Sequence, residues 1–591
     1  MCIRDSNYTR SWFQNPNSFD QEFHPDPALG LPSQLDNPLT GQPLGSADQR
    51  SQIRTFNVAP TWTRVVGSNT VFTLGAFVRQ DQYNYYPSAD PFNDFSPDLQ
   101  SESLAQNRKL TNAGIRGDVS FVKGHHNIKA GSVYQQTFLT ENDSIGIVDP
   151  GFYTSFGCPD PANPTCAVIA SHDLTRGGTP FLFHGHTDVK ELALYVEDTI
   201  NISNWTFNLG IRGDLYNGIS TDREAEPRIG LAYKIKPTNT VLRVSYARSM
   251  ETPFNENLVI ASTGCGIPFL AAIVPPAGVS CPSNSTPIST GWRNEFHAGL
   301  QQAFGRYFVL SGEYIWKYTH NSYDFGDVGA TPLFFPIEWT KSKIPGFAVR
   351  ASVPNFHGLT AFVTISSVAA RFFLPQIGGI PIIPAANSVF RIDHDERLEQ
   401  TTHMQYQPWK RGPWLGFNWR YDSGLVAGAV PCLAATATCA ASTSVADGGS
   451  NTTIASGQVA LVNDITGVPL TADQEFQAGL TCDGKLAAPN PTGPALATCD
   501  AAGLGSIYLK IPAPGTENDD HNPQRVAPRN LFDISVGQDD LFRRSDRYKW
   551  SLRFTVINLT NKVAPYNFLS TFSGTHYVTP RTETAELGFH F

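Results

Sequence analysis

The sequence contains no long hydrophobic run. None of its 591 residues lies in a stretch of about 18 apolar residues, the length that a membrane-spanning helix needs. The closest stretch, Gly266 to Val279, is interrupted by Pro268, Pro275 and Pro276. This absence excludes a helical membrane protein, but it leaves open a membrane protein that crosses with alternating strands.

Charge and methionine are also scarce. Charged residues make up 16% of the chain, only three methionines occur, and the net charge of −9 gives the chain no overall basic footprint for nucleic acid. Aromatic residues reach 12%, and 49 glycines accompany 43 prolines, a composition that favours strands and turns over helices. We therefore predict an all-β protein without a nucleic-acid partner.

The chain lacks the short motifs of common enzymes. A nucleophile elbow, a zinc-protease motif and a P-loop are all absent, so we predict no enzyme activity, no catalytic residue and no cofactor. Two acidic clusters, Asp393-His394-Asp395-Glu396 and Asp519-Asp520-His521, have the chemistry to bind a cation. A solvated strand end or loop explains both more simply, and no metal site is predicted.

None of the nine cysteines has CxxC spacing, which argues against zinc and redox motifs. Eight of them form four local couples in segments rich in proline, glycine and asparagine: Cys158/Cys166, Cys265/Cys281, Cys432/Cys439 and Cys482/Cys499. Cys2 is left over. We predict four disulfides that staple loops in an oxidising compartment; scattered free thiols are the alternative.

Alternation with a period of two is the dominant pattern, over segments of about ten residues. In one example, Tyr548, Trp550, Leu552, Phe554 and Val556 alternate with Lys549, Ser551, Arg553 and Thr555. The segments 205–211, 308–318 and 584–591 behave in the same way. The pattern predicts strands with one apolar face and one ionic face, although the strands of a soluble sandwich also alternate.

Short and long links between these segments alternate along the chain. The short ones lie at 67–69, 123–127, 203–204, 237–238, 305, 354–358 and 408–413, and the long ones at 142–186, 251–290, 321–343, 373–390 and 425–528. This asymmetry is typical of a transmembrane antiparallel β-barrel, and the count gives about 18 strands. We assign 1–50 to one strand and a loop and 51–591 to the barrel, with the long links as its extracellular loops. The link 425–528 is about 100 residues long, which argues against a structureless loop unless it is a functional cap.

The order of several short segments resembles TonB-dependent outer-membrane receptors, especially the Oar-like group with large loops. The segments are Tyr195–Thr199, Asn208–Asp214, Glu226–Tyr233, Val244–Arg248, Glu251–Pro253, Thr555–Lys562, Gly574–His576 and Pro580–Thr582. The resemblance implies a barrel of about 22 strands that surrounds an N-terminal plug. It also implies uptake of a scarce solute across the outer membrane, with energy delivered through the TonB complex.

Neither a plug nor a TonB-contact segment is recognisable in the sequence. Met1 to Ser6 also lack the apolar stretch and cleavage site of a secretory signal. We therefore expect a barrel fragment with about 18 of 22 strands, whose natural N-terminus lies upstream. The expected partners are outer-membrane lipid, the TonB complex through the missing plug, the outer-membrane assembly machinery and an unknown solute.

A few residues are candidates for specific roles in such a receptor. The terminal Phe591 resembles the signal that the assembly machinery reads. Aromatic residues of the long links, which could stack on a ligand or anchor the protein at the membrane interface, are Phe152, Tyr153, Phe156, Phe334, Phe335 and Trp339. Two other functions stay open on the sequence alone: a structural or adhesive surface protein of the same fold, and a passive porin.

Overall fold

The fold was analysed in a computed structural model of the chain. The structure describes residues 2–14, 39–41, 47–95, 100–155, 158, 164–275, 279–329, 331–382, 389–433, 435–436, 439–440, 444–447, 450–453, 459–463, 470, 472–487, 499–542, 548–570 and 574–590.

One antiparallel sheet of 20 strands dominates the molecule. The strands are β1 (Cys2–Gln14), β2 (Arg50–Val66), β3 (Thr70–Tyr86), β4 (Glu102–Lys123), β5 (His126–Ile147), β6 (Phe181–Ile202), β7 (Trp205–Asn217), β8 (Thr221–Ile235), β9 (Thr240–Glu251), β10 (Gly291–Phe304), β11 (Phe308–Asp327), β12 (Phe334–Phe356), β13 (Leu359–Val368), β14 (Arg371–Gly378), β15 (Val389–Arg391), β16 (Glu399–Tyr406), β17 (Trp414–Asp422), β18 (Arg529–Gln538), β19 (Lys549–Ile557) and β20 (Thr582–His590).

Eighteen of these strands run side by side, and each pairs with its neighbour along the chain. The exceptions are β14 and β15, which branch from the upper part of β12, so that β13 pairs directly with β16. Within the described ranges, β1 pairs only with β2 and β20 only with β19, which leaves the sheet open at two edges. The predicted fold class and strand number are confirmed.

Helices are few and short. They are α1 (Phe152–Ser155), α2 (Pro164–His172), α3 (Leu258–Thr263), α4 (Pro268–Ile273) and α5 (Ala472–Gln477), with 3-10 turns at 91–94, 174–176, 236–238 and 264–266. In the part of the chain that the structure describes, no helix is both long and apolar enough to cross a membrane.

Every predicted short link joins two paired strands at one end of the sheet, which we call the turn end. The link between β12 and β13 shows how tight such a turn is. Gly358 has a positive φ of 89°, and a Cβ there would stand 2.0 Å from the carbonyl oxygen of Gln407. Only glycine fits at this position, because any side chain would clash with the neighbouring turn.

The long links lie at the opposite end, which we call the cap end. Two of them are shorter than predicted, because β5 and β6 reduce 142–186 to 148–180, and β11 and β12 reduce 321–343 to 328–333. The predicted link 373–390 contains most of β14 and the start of β15. These strands extend further toward the cap end than predicted. Their extended parts pair with each other, so their backbone N–H and C=O groups are hydrogen-bonded.

The segment between β17 and β18 is not a structureless loop. Besides α5, it contains short strands at 429–433, 435–436, 439–440, 444–447, 450–453, 459–463, 480–482, 485–486, 504–506, 509–510 and 525–526. The connection between β19 and β20 adds strands at 565–570 and 574–577. We call the described residues of 148–180, 252–290, 328–333, 369–398, 423–528 and 558–581 the cap.

The apolar core lies in the cap and in the strand ends next to it. It includes Ile145, Ile169, Leu258, Leu270 and Phe335, all of which are buried. A second cluster forms around 427–568. Among the described residues, the middle of the sheet has no such core.

The apolar faces of the sheet strands point outward and are exposed. Leu194, Leu209, Ile211, Leu242 and Val244 keep 45–56% of their surface exposed. In a soluble sandwich these side chains would be packed between two sheets. Their exposure is the arrangement expected of strands that face lipid.

The cap shows that the sheet is curled. Asn257 accepts a hydrogen bond from Gln106 of β4 at 3.0 Å and donates one to the carbonyl oxygen of Phe334 at the start of β12. These two strands are eight positions apart, which would be roughly 38 Å in a flat sheet. One side chain touches both because the sheet curves around an interior, and its polar faces line that interior.

Candidate functional site

A ladder of paired charges lines the inner face of β9 to β11. Arg293 lies 3.1 Å from Glu251 and 3.4 Å from Glu295, measured between nitrogen and oxygen. Glu295 also contacts His297 at 2.5 Å and Lys317 at 3.7 Å. These side chains are only partly exposed, and each has an opposite charge beside it, so the wall is polar without a large net charge.

Other ions of the inner face also pair along or across strands. Arg212 lies 2.6 Å from Asp214 on its own strand, and near the open edge Arg553 lies 2.6 Å from Glu586, its direct cross-strand partner. Glu313 pairs with His297. Such pairs hydrate an interior through which a polar solute could move.

A depression of about 530 Å³ opens in the inner wall between β3 and β8. Its polar lining includes Lys129 and Glu197, whose charged atoms are 3.6 Å apart, together with Tyr195 and Arg212. The Tyr195 ring lies over Gly131, where a Cβ would meet its hydroxyl at 2.7 Å. The depression thus presents a hydroxyl and both charges to the interior.

At the cap end, a buried carboxylate holds the connection between β9 and β10. Glu141 of β5 accepts hydrogen bonds from the backbone N–H groups of Val259 and Ile260 at 2.9 and 3.0 Å. These groups belong to the first turn of α3, where backbone donors have no partner within the helix. A second contact, 2.7 Å between Arg108 and Glu256, fixes the same connection to β4.

Two further connections are joined by a cluster of five charges, of which Asp395 and Asp520 are buried and the three arginines are partly buried. Asp395 contacts Arg391 at 3.2 Å and Arg525 at 2.5 Å, and Asp520 contacts Arg371 at 2.6 Å and Arg391 at 3.0 Å. Asp395 is fully buried. The cluster ties 369–398 to 423–528, so the two acidic motifs of the sequence meet each other, and the cations that they bind are arginines.

Two titratable groups beside this cluster have shifted pKa values. Burial, helped by the nearby carboxylates of Asp422 and Glu399, raises the pKa of Glu396 from 4.5 to about 7. A hydrogen bond with Asp393 raises the pKa of His394 above its ordinary value. Both residues lie in the connection between β15 and β16, outside the sheet strands.

Three disulfides staple the cap. They join Cys158 to Cys166, Cys265 to Cys281 and Cys482 to Cys499, with Cα atoms 5.2, 5.6 and 5.7 Å apart. The side chains of the fourth predicted couple, Cys432 and Cys439, lie outside the described residues. In each described pair the two cysteines belong to the same connection, so the bridges stabilise individual connections rather than joining them.

Most of the predicted ligand-contacting aromatics pack inside the cap. Phe152, Phe335 and Trp339 are buried, and the indole N–H of Trp339 donates to Asp324 at 3.2 Å. Tyr153 is half-buried beneath the guanidinium of Arg176, which lies 4.0 Å from the centre of its ring. The connections thus fold on these aromatic residues, and contact with a solute stays a prediction.

The remaining predicted aromatic residues are Phe334, Phe156 and the terminal Phe591. Phe334 is half-buried, and its carbonyl oxygen accepts the hydrogen bond from Asn257. Phe156 and the terminal Phe591 lie outside the described residues.

The sequence carries no local signal for the groups that hold the cap together. Arg391, Arg525 and Glu141 contact residues more than a hundred positions away or in another connection. The inner ladder is different, since Arg293, Glu295 and His297 alternate with a period of two, and this pattern could have identified them. Among the described residues, no group of three or more His, Cys, Asp or Glu is arranged to hold a metal ion.

Residues 3–276 match the sequence profile of the family described as "TonB dependent receptor-like, beta-barrel". No curated protein matches the chain in sequence. The chain thus shares the barrel profile of that family over its first 276 residues.

Solved structures share the fold over nearly the whole chain. The ferric yersiniabactin uptake receptor FyuA from Yersinia pestis superimposes with a TM-score of 0.51 at 11% identity, over 91% of this chain and 61% of that one. The ferric-catecholate import receptor Fiu from E. coli K12 gives 0.54 at 11% identity, over 100% and 72%. The siderophore receptor PiuA from Acinetobacter baumannii gives 0.51 at 11% identity, over 100% and 71%. The chain therefore spans 61–72% of the length of these receptors, and identities this low show a common fold alone.

Proposed function

We propose that the chain is the barrel of a TonB-dependent outer-membrane receptor of the large-loop, Oar-like kind, which imports a scarce solute. The observation that carries this proposal is the reversed polarity of the sheet. Aliphatic side chains are exposed on the outside, while paired charges line the inside. This polarity suits a wall between lipid and a hydrated interior.

The height of the apolar band supports the membrane setting. At the turn end, aromatic pairs such as Trp205–Tyr233 and Phe304–Phe308 form a belt. The second belt lies at the level of Tyr318, toward the cap. Phe308 and Tyr318 are separated by about 33 Å along β11. At a tilt of about 40° this distance spans about 25 Å, the height of the apolar band in outer-membrane barrels.

In the proposal, a complete receptor has further strands at the two open edges of the sheet. The outer edges of β1 and β20 carry backbone N–H and C=O groups that hydrocarbon cannot satisfy. In the proposal, further strands close the gap, and a plug occupies the charged interior and contacts the TonB complex. The total would then be about 22 strands.

The solute enters through the cap in this proposal. Siderophores are one candidate class, since the receptors with the same fold include importers of ferric siderophores; oligosaccharides and similar polar solutes are others. The remaining proposed partners are outer-membrane lipid and the assembly machinery, which would insert the sheet.

Energised uptake by the intact gene product tests the proposal. A strain that lacks the gene would be compared with its parent for uptake of labelled ferric chelates and oligosaccharides, with and without a protonophore. We expect loss of one energy-dependent uptake activity. Uptake that persists after the protonophore would identify a passive pore instead.

One observation favours a second function, a structural or adhesive surface protein. The cap is large, stapled by disulfides and tied together by buried ion pairs, as a rigid contact surface would be. If deletion left all uptake unchanged but reduced attachment of cells to surfaces, the adhesive function would replace the transport proposal.

A further inference from the structure

The outward face of β9 to β12 changes its chemistry with height. Because directly paired residues stand at the same level of the sheet, the register defines successive levels. The lower ones are aliphatic and aromatic: Leu242, Leu300 and Val349 at one level, Val244, Ala298, Tyr314 and Phe347 above it, and then Tyr246, Phe296 and Trp316.

The next two levels, toward the cap, carry cations. Tyr318 pairs with Lys343, and one level higher His320 stands between Trp292 and Lys341. Phe373 of β14 continues this upper level beside Lys341. The transition occurs at the top of the aromatic belt, about 25 Å above the belt of the turn end.

Neither lysine of this surface has a carboxylate partner among the described residues. Within the described part of the chain, no carboxylate lies within 4.0 Å of the ammonium groups of Lys341 and Lys343. These ammonium groups are 4.9 and 5.6 Å from the centre of the Phe373 ring. His320 is exposed and stacks on Trp292 at 4.1 Å between ring centres. The neighbouring arginines differ, since Arg248 already pairs with Glu224.

We propose that Lys341, Lys343 and His320 bind the phosphate groups of an anionic phospholipid or phosphorylated glycolipid in the leaflet that faces the cap. The inference rests on the proposed function, because it requires the aliphatic levels below to lie in a bilayer. Lipid phosphates are found where the hydrocarbon ends and aromatic side chains mark the interface. Lysines without a carboxylate partner at that height attract them, and the Phe373 ring holds both ammonium groups in place, while Trp292 positions the His320 ring by stacking.

Co-flotation of the full chain with vesicles tests this site. The vesicles would be pure phosphatidylcholine or phosphatidylcholine mixed with phosphatidic acid, and bound phosphatidic acid would be counted by mass spectrometry after mild detergent extraction. The double variant Lys341→Gln, Lys343→Gln should retain phosphatidic acid roughly 25-fold more weakly, about fivefold per lysine.

The matched control replaces two other outward-facing, exposed lysines, Lys109→Gln with Lys190→Gln, on β4 and β6. It removes the same charge and should leave lipid retention unchanged. Equal loss in both double variants would overturn the site in favour of a general charge effect. A chain that floats with phosphatidylcholine but shows no preference for phosphatidic acid would also overturn it, while leaving the membrane proposal intact.

Two further outcomes separate the alternatives. Failure of the chain to float with any vesicle would overturn the inference together with the proposed function. If inorganic phosphate alone bound in the presence of phosphatidylcholine, and phosphatidic acid did not compete with it, the site would take free phosphate and the assignment to lipid would be wrong.

Discussion

Glu396 shows how the surroundings of a single cap residue change its pKa. Its carboxylate accepts a hydrogen bond from the backbone N–H of Gly424 at 3.0 Å, yet burial and the charges of Asp422 and Glu399 oppose its ionisation. The result is a pKa of about 7, above the ordinary value of 4.5. The folded cap therefore binds this proton more tightly than the unfolded chain does.

This raised pKa predicts a pH dependence of cap stability. The stabilisation from the bound proton is present below pH 4.5 and is lost as the pH rises to about 7. Glu396→Gln keeps the acceptor for Gly424 and should stabilise the cap at pH 8 by about 2 kcal/mol. Hydrogen exchange of the amides around 392–398, followed from pH 5 to 8, would measure the effect.

A substitution at the exposed Glu586 provides the control for this measurement, since Glu586→Gln removes a carboxylate that is 63% exposed. Its pH profile should follow that of the unmodified chain. An unchanged profile in Glu396→Gln would show that another group dominates the titration of the cap.

At the scale of elements, the cap is held by charges that join separate connections. Asp395 receives hydrogen bonds from the backbone N–H of Ala370 at 2.6 Å and from Arg391 at 3.2 Å, and it also binds Arg525. Buried pairs of this kind add little net stability over apolar residues, but breaking one leaves a buried charge without a partner. The cluster therefore specifies how the two connections dock.

Removal of this carboxylate should release one connection from the other. Asp395→Asn leaves Arg391 and Arg525 buried with too little negative charge, at a cost of about 3–5 kcal/mol. We expect limited trypsin digestion to cut within 369–398 and 423–528 well before the sheet is attacked.

The matched control is His521→Gln, because His521 stands beside Asp520 but is 76% exposed. Its digestion pattern should equal that of the unmodified chain. Equal resistance of Asp395→Asn would mean that the disulfides and the apolar core suffice to hold the cap.

At the scale of the whole molecule, the proposed function depends on which face of the sheet meets lipid and which meets the interior. Val244 and Ser245 are consecutive residues near mid-height of β9, and they lie on opposite faces. Val244 shares its level with Ala298 and Tyr314 on the outside, whereas Ser245 pairs with His297 of the inner ladder. One substitution at each position compares lipid with interior at nearly the same depth.

Arginine at these two positions should have opposite consequences. Val244→Arg places a charge at the middle of the apolar band and should destabilise the membrane-inserted sheet by about 2–4 kcal/mol, whereas Ser245→Arg should cost under about 1 kcal/mol. Urea unfolding from phosphatidylcholine vesicles measures both. Equal destabilisation would contradict a lipid-facing exterior.

The acidic clusters and the loop aromatics show which contacts could not be predicted from the sequence. Asp393–Glu396 and Asp519–His521 were identified as clusters, but their partners lie at positions 371, 391 and 525. The sequence predicts Phe335 and Trp339 in a long link, but β12 extends through them and buries both. For the acidic clusters, the contacts of Asp395 with Arg525 and of Asp520 with Arg391 join segments that are distant in sequence.

By itself, the sequence determined the strands, their polarity and their number. Side chains alternate across a strand, so a two-residue pattern records which face meets lipid and which meets water, and short links record which strands pair. The tertiary structure alone decided the architecture of the cap and the cationic level of Lys341 and Lys343. These depend on register and on contacts between distant connections, which no local periodicity encodes.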